Sequence, residues 1–380
     1  MSAAATRRLL GDLAPADFLA RFWHKDARLI RGAIEDFAGL FTRAQLQALA
    51  QRDDVESRLV VRDGRQWSLR HGPFRPSDWR QLPARNWTLL VQGTNLHDAR
   101  ADALLRRFAF VPYARLDDLM VSYAAAGGGV GPHVDSYDVF LLQGDGQRRW
   151  RWSRQQDLAL DPRSPLKILR RFAPTESAVL GPGDMLYLPP HVAHEGVAVD
   201  PCTTYSIGFR APSATELAEA FLDFIRDELA LEGRYADPGL AATRTPARIG
   251  TEMQRRVADT LAKIRWNRAL ATRFLGTWLT EPKPHVFFEP PAAPLSRAAF
   301  IARASRAGVA LDLRTQLLYD DAHVFANGSA DAWPAGGAAE LARLADGRAL
   351  SAADCARLPR SAATLVYRWY RDGYLHVAAH

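Results

Sequence analysis

From Ser57 to about Arg210 the chain alternates short apolar runs with Gly, Pro and Asp signals, the texture of many short strands joined by turns. "SRLVVRDGRQWSLRHG" reads as two strands around an Asp-Gly turn, and "WTLLVQG", "LDDLMVSYA", "YDVFLLQGDGQRRWRWS" and "DMLYLPPHV" continue the pattern. Many short strands with few helices predict a double-sheet jelly-roll barrel. Ahead of it, residues 16–50 predict helix, strand and helix, the second helix opening on a cap at Thr42.

At Thr215 the period changes. "TELAEAFLDFIRDELAL" carries Leu217, Phe221, Phe224 and Ile225 on one helical stripe, and after a loop further helices are expected near 251–265 and 267–279. Such stripes either pair with a second copy of the chain or pack on its own barrel, and both readings stay open. The proline-rich "EPKPHVFFEPPAAP" marks a boundary. Beyond it the tail predicts a helix, the hairpin "VALDLRTQLLYDDAHVFANG" and a last helix near "SAATLVYRWYRDG", the outline of a winged-helix unit. The expected organisation is α+β, with a barrel over 1–212, a helical region over 213–280 and a winged-helix-like domain over 281–380.

Composition narrows the function classes. A chain of 380 residues exceeds one ordinary core, and 48% hydrophobic with 24% charged residues is a globular balance. No run of about 18 uncharged apolar residues predicts a membrane span. The segment "MSAAATRRLLGDLAPADF" lacks an apolar stretch of signal-peptide length, and Cys202 and Cys355 alone make no disulfide framework. The expectation is a reduced, cytoplasmic protein. A net charge of +7 favours RNA-rich surroundings. Without a clear basic reading helix, nucleic-acid binding is not expected as the primary role.

The chemistry starts in "GGGVGPHVDSYDVFLLQ", where the run from Tyr137 reads as a buried strand. His133 and Asp135 precede it, and strand alternation puts them on one side, roughly 6–7 Å apart. A third metal ligand should come from another strand, and "GPGDMLYLPPHVAHEGVAV" offers His191 and His194. His194 leads directly into the next strand and is the expected ligand; His191 reads as a loop residue. Two imidazoles and one carboxylate with open positions suit non-haem Fe(II), although zinc could use the same set. Arg148, in "GDGQRRWRW", can return beside such a centre and grip the distal carboxylate of 2-oxoglutarate, while Arg149 faces solvent. Ser122 shares the strand parity of Asp118 and Met120 and can assist that carboxylate.

Taken together and in order, "GGGVGPHVDSYDVFLLQGDGQRRW", "GDMLYLPPHVAHEG" and "YSIGFRAP" resemble the JmjC-type bacterial ribosomal oxygenases, as do "FLARFWHKDARLIRGA", "HGPF", "NWTLLVQGTN" and "RLDDLM". The resemblance covers residues 15–240 and extends to the tail in layout. It implies a cupin barrel (a double-stranded β-helix), a helical dimerisation region and a C-terminal winged helix. It also implies His133, Asp135 and His194 as iron ligands and Arg148 on 2-oxoglutarate, with O2 as the other co-substrate. The implied reaction hydroxylates an arginine of large-subunit ribosomal protein sixteen; a eukaryotic branch hydroxylates histidine instead. An arginine substrate needs a carboxylate partner, and Asp118 has the parity for it, with Asp117 facing away. Met120 and Tyr137 could wall the aliphatic stem and Ser206 add a hydrogen bond. A demethylase, or a non-catalytic module that docks on RNA or a ribosomal protein, is the rival reading.

Overall fold

The computed structural model describes residues 9–378; residues 1–8, the start of the segment read for a signal peptide, lie outside them. The backbone groups into two compact units. One runs to Ala211 and takes in Pro282–Thr315 and Pro334 onward; the other comprises Pro212–Glu281 and Gln316–Trp333. Among the described residues no helix is long and apolar enough to cross a membrane.

The first unit opens with helix α1 (Pro15–Arg21), strand β1 (Arg28–Ile30) and helix α2 (Arg43–Leu49). Thr42 and Gln45 form a reciprocal capping box at α2, satisfying two N–H groups that a helix start otherwise leaves unpaired. Strands β2 (Ser57–Asp63) and β3 (Gln66–His71) follow, joined at Gly64–Arg65, where Gly64 takes φ +57°. After helix α3 (Pro76–Arg80) come β4 (Trp87–Val91) and helix α4 (Ala99–Arg106), which Asp98 caps through the N–H groups of Arg100 and Ala101. The barrel continues with β5 (Leu116–Ala124), β6 (Val139–Gln143), β7 (Arg148–Ser153), β8 (Glu176–Leu180), β9 (Met185–Leu188), β10 (Ala193–Ala198) and β11 (Cys202–Phe209).

Eight strands form one antiparallel sheet in the order β1-β9-β6-β11-β5-β4-β2-β3, and β10-β7-β8 form the facing one. The core on the outer side of the large sheet is aromatic. Phe140 is fully buried, its ring 4.9–5.4 Å from those of Phe18, Phe108 and Tyr187. Truncating it to alanine should cost about 3–5 kcal/mol, because packed rings cannot collapse into the hole. A second cluster between the sheets, including Leu141, Trp150, Trp152 and Leu186, keeps the barrel interior apolar.

Two local expectations change. Tyr137 lies in a bend and the strand begins at Val139 rather than at Tyr137, so His133 and Asp135 stand further ahead of it than expected. In the tail, β12 (Val309–Leu311) follows helix α8 (Arg297–Ala307) but pairs with residues 349–350 and 375–377. The hairpin is confined to Leu317–Tyr319 and His323–Ala326, with Ser329–Ala332 as a third strand. A turn separates the two: Asp312 accepts from the Arg314 N–H, and the Thr315 hydroxyl donates to the Tyr374 carbonyl.

In the second unit helix α5 (Ala214–Glu228) is capped by Ser213 with Glu216, and helix α7 (Arg268–Thr280) by Asn267. Phe221 and Phe224 pack on Phe274, and Gly276 lets α7 approach the hairpin, since a Cβ there would lie 2.4 Å from the Phe325 ring. Between them helix α6 (Thr251–Leu261) leaves Met253, Val257 and Leu261 exposed at four-residue spacing.

Candidate active site

The glycine-rich segment explains how His133 is placed. Residues 127–133 run antiparallel along β10: the Gly127 N–H donates to the Ala198 carbonyl, and His133 and His194 exchange both backbone hydrogen bonds at 2.9 Å. Gly129 must lack a side chain, because a Cβ would stand 2.5 Å from the Gly196 carbonyl oxygen. The two histidines are therefore cross-strand neighbours, their rings 4.3 Å apart.

Each imidazole is oriented by a backbone carbonyl. His133 Nδ1 lies 2.9 Å from the Gly131 carbonyl and His194 Nδ1 2.9 Å from that of Val192. Donation from Nδ1 leaves both Nε2 lone pairs for a metal, the usual outer support of a ligating histidine. Burial, and then the neighbouring His133, lower the pKa of His194 to about 4, so its imidazole is neutral at physiological pH. Asp135 Oδ2 is 3.6 Å from His194 Nε2. One potential donor atom from each of the three residues lies within 4.8 Å of the others, and among the described residues they are the one such group.

The triad opens on a cavity of about 600 Å³ inside the barrel. Arg148 lines it from β7, two residues before Trp150, whose ring lies 5.7 Å from the Arg148 guanidinium carbon and 6.0 Å from the His194 ring. Arg148 is 4% exposed, yet its Nε and Nη2 have no hydrogen-bond partner in the protein. A buried guanidinium without a carboxylate is costly, and its free N–H groups suit an anionic ligand. Ser122 and Thr204 line the cavity from the paired strands β5 and β11. Arg149 is exposed on the other face. His191 is also exposed, with φ +63°, and its N–H donates to the Asp135 carbonyl; it does not line the cavity.

This donor set suits an oxygen- and nitrogen-bound Fe(II) with open positions, and the unpaired guanidinium suits a dicarboxylate beside it. A family model for the JmjC domain matches residues 103–217, and one for a ROXA-like winged helix matches residues 263–376. The chain is 34% identical to the ribosomal protein uL16 3-hydroxylase of Escherichia coli over 281 residues, 73% of this chain and 74% of that protein. It belongs to the JmjC ribosomal oxygenases. The crystal structure of E. coli YcfD superposes with a TM-score of 0.82 at 30% identity, covering 96% of this chain and 98% of YcfD. YcfD in complex with cobalt and 2-oxoglutarate gives 0.79 at 30% identity, with the same coverage. As a member of this family the ribosomal oxygenase is a 2-oxoglutarate-dependent dioxygenase with an Fe(II) centre.

Along β5 from Ser122 to Asp118 the wall of the oxygenase cavity runs into a group of carboxylates, its acidic end. Asp118, Met120, Tyr137 and Ser206 all line it. Asp118 is 6% exposed, and its Oδ2 accepts from the Gly93 N–H at 2.8 Å. Burial, then Asp117, raise its pKa to about 6, against the opposing pull of Lys283 and the Gly93 N–H. Asp117 lines the cavity too, contrary to the expectation that it faces away. Phe209 pairs with Leu116 and Ile207 with Leu119, so β5 has one extra residue between the two pairs. That bulge breaks the alternation and turns both carboxylates toward the mouth. Sequence reasoning also missed Trp150, which the parity of Arg148 could have given. Glu56 and Arg58 of the cavity wall carry no local signal.

Proposed function

We propose that this protein hydroxylates an arginine side chain of large-subunit ribosomal protein uL16, using Fe(II), 2-oxoglutarate and O2. The observation that carries the reading is a buried carboxylate, Asp118, in the same cavity as the His133–Asp135–His194 triad. A cationic side chain bound at Asp118 reaches along the cavity toward the triad. The name of the E. coli relative supports the ribosomal protein as target.

His133, Asp135 and His194 would hold the iron, two neutral ligands and one carboxylate leaving about one net positive charge. With 2-oxoglutarate and O2, bound iron supplies the oxidising power that replaces a C–H by C–OH while 2-oxoglutarate becomes succinate and CO2. Arg148 grips the distal carboxylate of 2-oxoglutarate, and the Ser122 hydroxyl adds a hydrogen bond. Trp150 and Leu141 keep water from that end of the cavity. Asp118 takes the substrate guanidinium, Met120 and Tyr137 flank its aliphatic stem, and Ser206 fixes its orientation. Only the arginine carbon that this grip delivers to the triad is oxidised.

The test is the mass of tryptic peptides from under-hydroxylated large-subunit proteins treated with the loaded enzyme, with and without 2-oxoglutarate. One added oxygen on an arginine of uL16 is expected. An added oxygen on histidine would move the target to the other branch of the family, and no shift anywhere would overturn the substrate. The protein works as a homodimer in the cytoplasm, with the exposed Met253, Val257 and Leu261 stripe in the interface. Light scattering after size exclusion should give twice the chain mass, reduced toward one by Val257→Glu.

A further inference from the structure

The bulge in β5 puts two carboxylates side by side at the mouth of a cavity proposed to admit one cationic side chain. Two adjacent anions repel each other, and a guanidinium could be trapped by either. Only binding to the deeper one points it at the triad. The fold contains a group that separates them. Lys283, from the proline-rich stretch that begins at Pro282 in the same compact unit, places Nζ 3.3 Å from Asp117 Oδ1. Arg210 Nε lies 3.6 Å from the same oxygen. Asp118 is held differently, by the Gly93 N–H on Oδ2, and a Cβ on the facing Gly208 would still be 3.8 Å from its Oδ1.

We infer that Lys283 is a specificity-determining positioning residue: its ammonium, with the Arg210 guanidinium, engages Asp117, and so leaves Asp118 as the carboxylate that receives the substrate guanidinium. This rests on the arginine reading of the substrate. At this end stand the carboxylates Asp117 and Asp118 of β5 and Glu56 ahead of β2, the cations Arg58 of β2, Arg210 and Lys283, and the uncharged phenol of Tyr137, and Lys167 also lines the cavity. Three carboxylates stand against these three cations, with Lys167 a fourth on the cavity wall, so the mouth has no surplus of negative charge when empty and selects a cation through local geometry. The ammonium itself is kept charged: burial would lower its pKa, but Asp118 and Asp117 outweigh that and raise it. In turn Lys283 is the first group opposing the upward pull of burial and Asp117 on Asp118. Without it, Asp118 takes up its proton at a higher pH and loses the charge that binds arginine.

Two substitutions should move the enzyme in opposite directions. The pH dependence of kcat/KM for an arginine peptide that the wild type hydroxylates is measured for the full chain, alongside thermal stability and 2-oxoglutarate KM. Lys283→Met should move the acidic limb up by about half a pH unit or more and raise peptide KM about 3- to 10-fold at pH 6, less at pH 8. Asp117→Asn removes the repulsion instead and should move the limb down. Lys283→Arg should restore the wild-type profile. A merely structural role for Lys283 predicts lower thermal stability in both variants with no opposed movement of the limbs, and that result overturns the inference while leaving the substrate intact. If the wild type hydroxylates no arginine peptide, the substrate reading fails and this assignment falls with it.

Discussion

The two ends of the cavity solve their charge problems in different ways. At the triad, charge is kept to a minimum: two imidazoles, of which the buried His194 is neutral, and one carboxylate, with both rings fixed by backbone carbonyls a few residues away. At the acidic end charge is abundant and is balanced by side chains from remote segments, Arg210 and Lys283 on Asp117. The first arrangement is local and rigid, as a metal needing fixed donor geometry demands. The second is assembled across the chain, which suits a partner that arrives and leaves. The sheets differ accordingly. The histidines share the small sheet's edge through a backbone bridge, whereas the carboxylates depend on a bulge in the large one.

The strongest way to break this comparison is to remove a donor at the rigid end. Asp135→Ala should lower turnover by about a hundredfold or more, with loss of stoichiometric iron by metal analysis. Full activity would remove Asp135 from the metal set. Next, Arg148→Ala should weaken 2-oxoglutarate by about 10- to 100-fold, on the order of 1.5–3 kcal/mol for a charged hydrogen-bonded pair, measured as KM with peptide saturating. An unchanged KM would mean that the unpaired guanidinium serves another ligand.

The acidic end gives a prediction of mixed sign. Asp118→Asn should lower kcat/KM for the arginine peptide about 10-fold or more, yet raise the melting temperature at pH 8. The pKa of Asp118 is raised from 3.8 to about 6 in the folded protein, burial being the first cause and Asp117 the second. Its protonated form therefore suits the fold; that contribution is complete below about pH 4 and is lost as pH rises through 6. Above pH 6 the charged carboxylate destabilises by about 1–3 kcal/mol, which a neutral asparagine relieves. For catalysis the sign is reversed, because only the ionised form binds a guanidinium, so wild-type kcat/KM should fall as pH drops through about 6. A lower melting temperature at pH 8 for Asp118→Asn would contradict this trade between function and stability.

The rigid end was the more legible in the sequence, and the reason is physical. His133, Asp135 and Arg148 lie close together in the chain, and the His194 segment carries its own turn and strand signals. What alternation could not deliver was the acidic end. A β-bulge leaves no mark in a stretch such as "RLDDLM", so alternation alone puts Asp117 on the wrong face. The apolar run after it makes Tyr137 read as strand, although the strand starts only past Asp138, whose carboxylate is held by Tyr187, His24 and Arg115. Lys283 lies 166 residues from its partner, inside a proline-rich segment that reads only as a boundary. Likewise the Val309–Leu311 strand reads as part of the hairpin because its partners, 349–350 and 375–377, come later in the chain.

The smallest predicted effects locate the border between the two ends. Ser122 pairs with Thr204, and Ser206, two residues further along β11, pairs with Met120, so the two serines are diagonal neighbours on the same interior face. A hydroxyl bonded to a ligand is worth about 0.5–1.5 kcal/mol. Ser122→Ala should therefore raise the KM for 2-oxoglutarate by about 2- to 10-fold and leave the peptide alone, while Ser206→Ala should do the reverse. Both side chains are buried and small, so the alanine variants keep the packing and the comparison isolates the hydroxyl. If Ser122→Ala shifts the peptide instead, the substrate reaches deeper than Met120 and 2-oxoglutarate is held by Arg148 with Thr204. If neither shift separates, the two ligands share this strip of the wall, and the division of the cavity into a rigid end and an assembled end is too sharp at its centre.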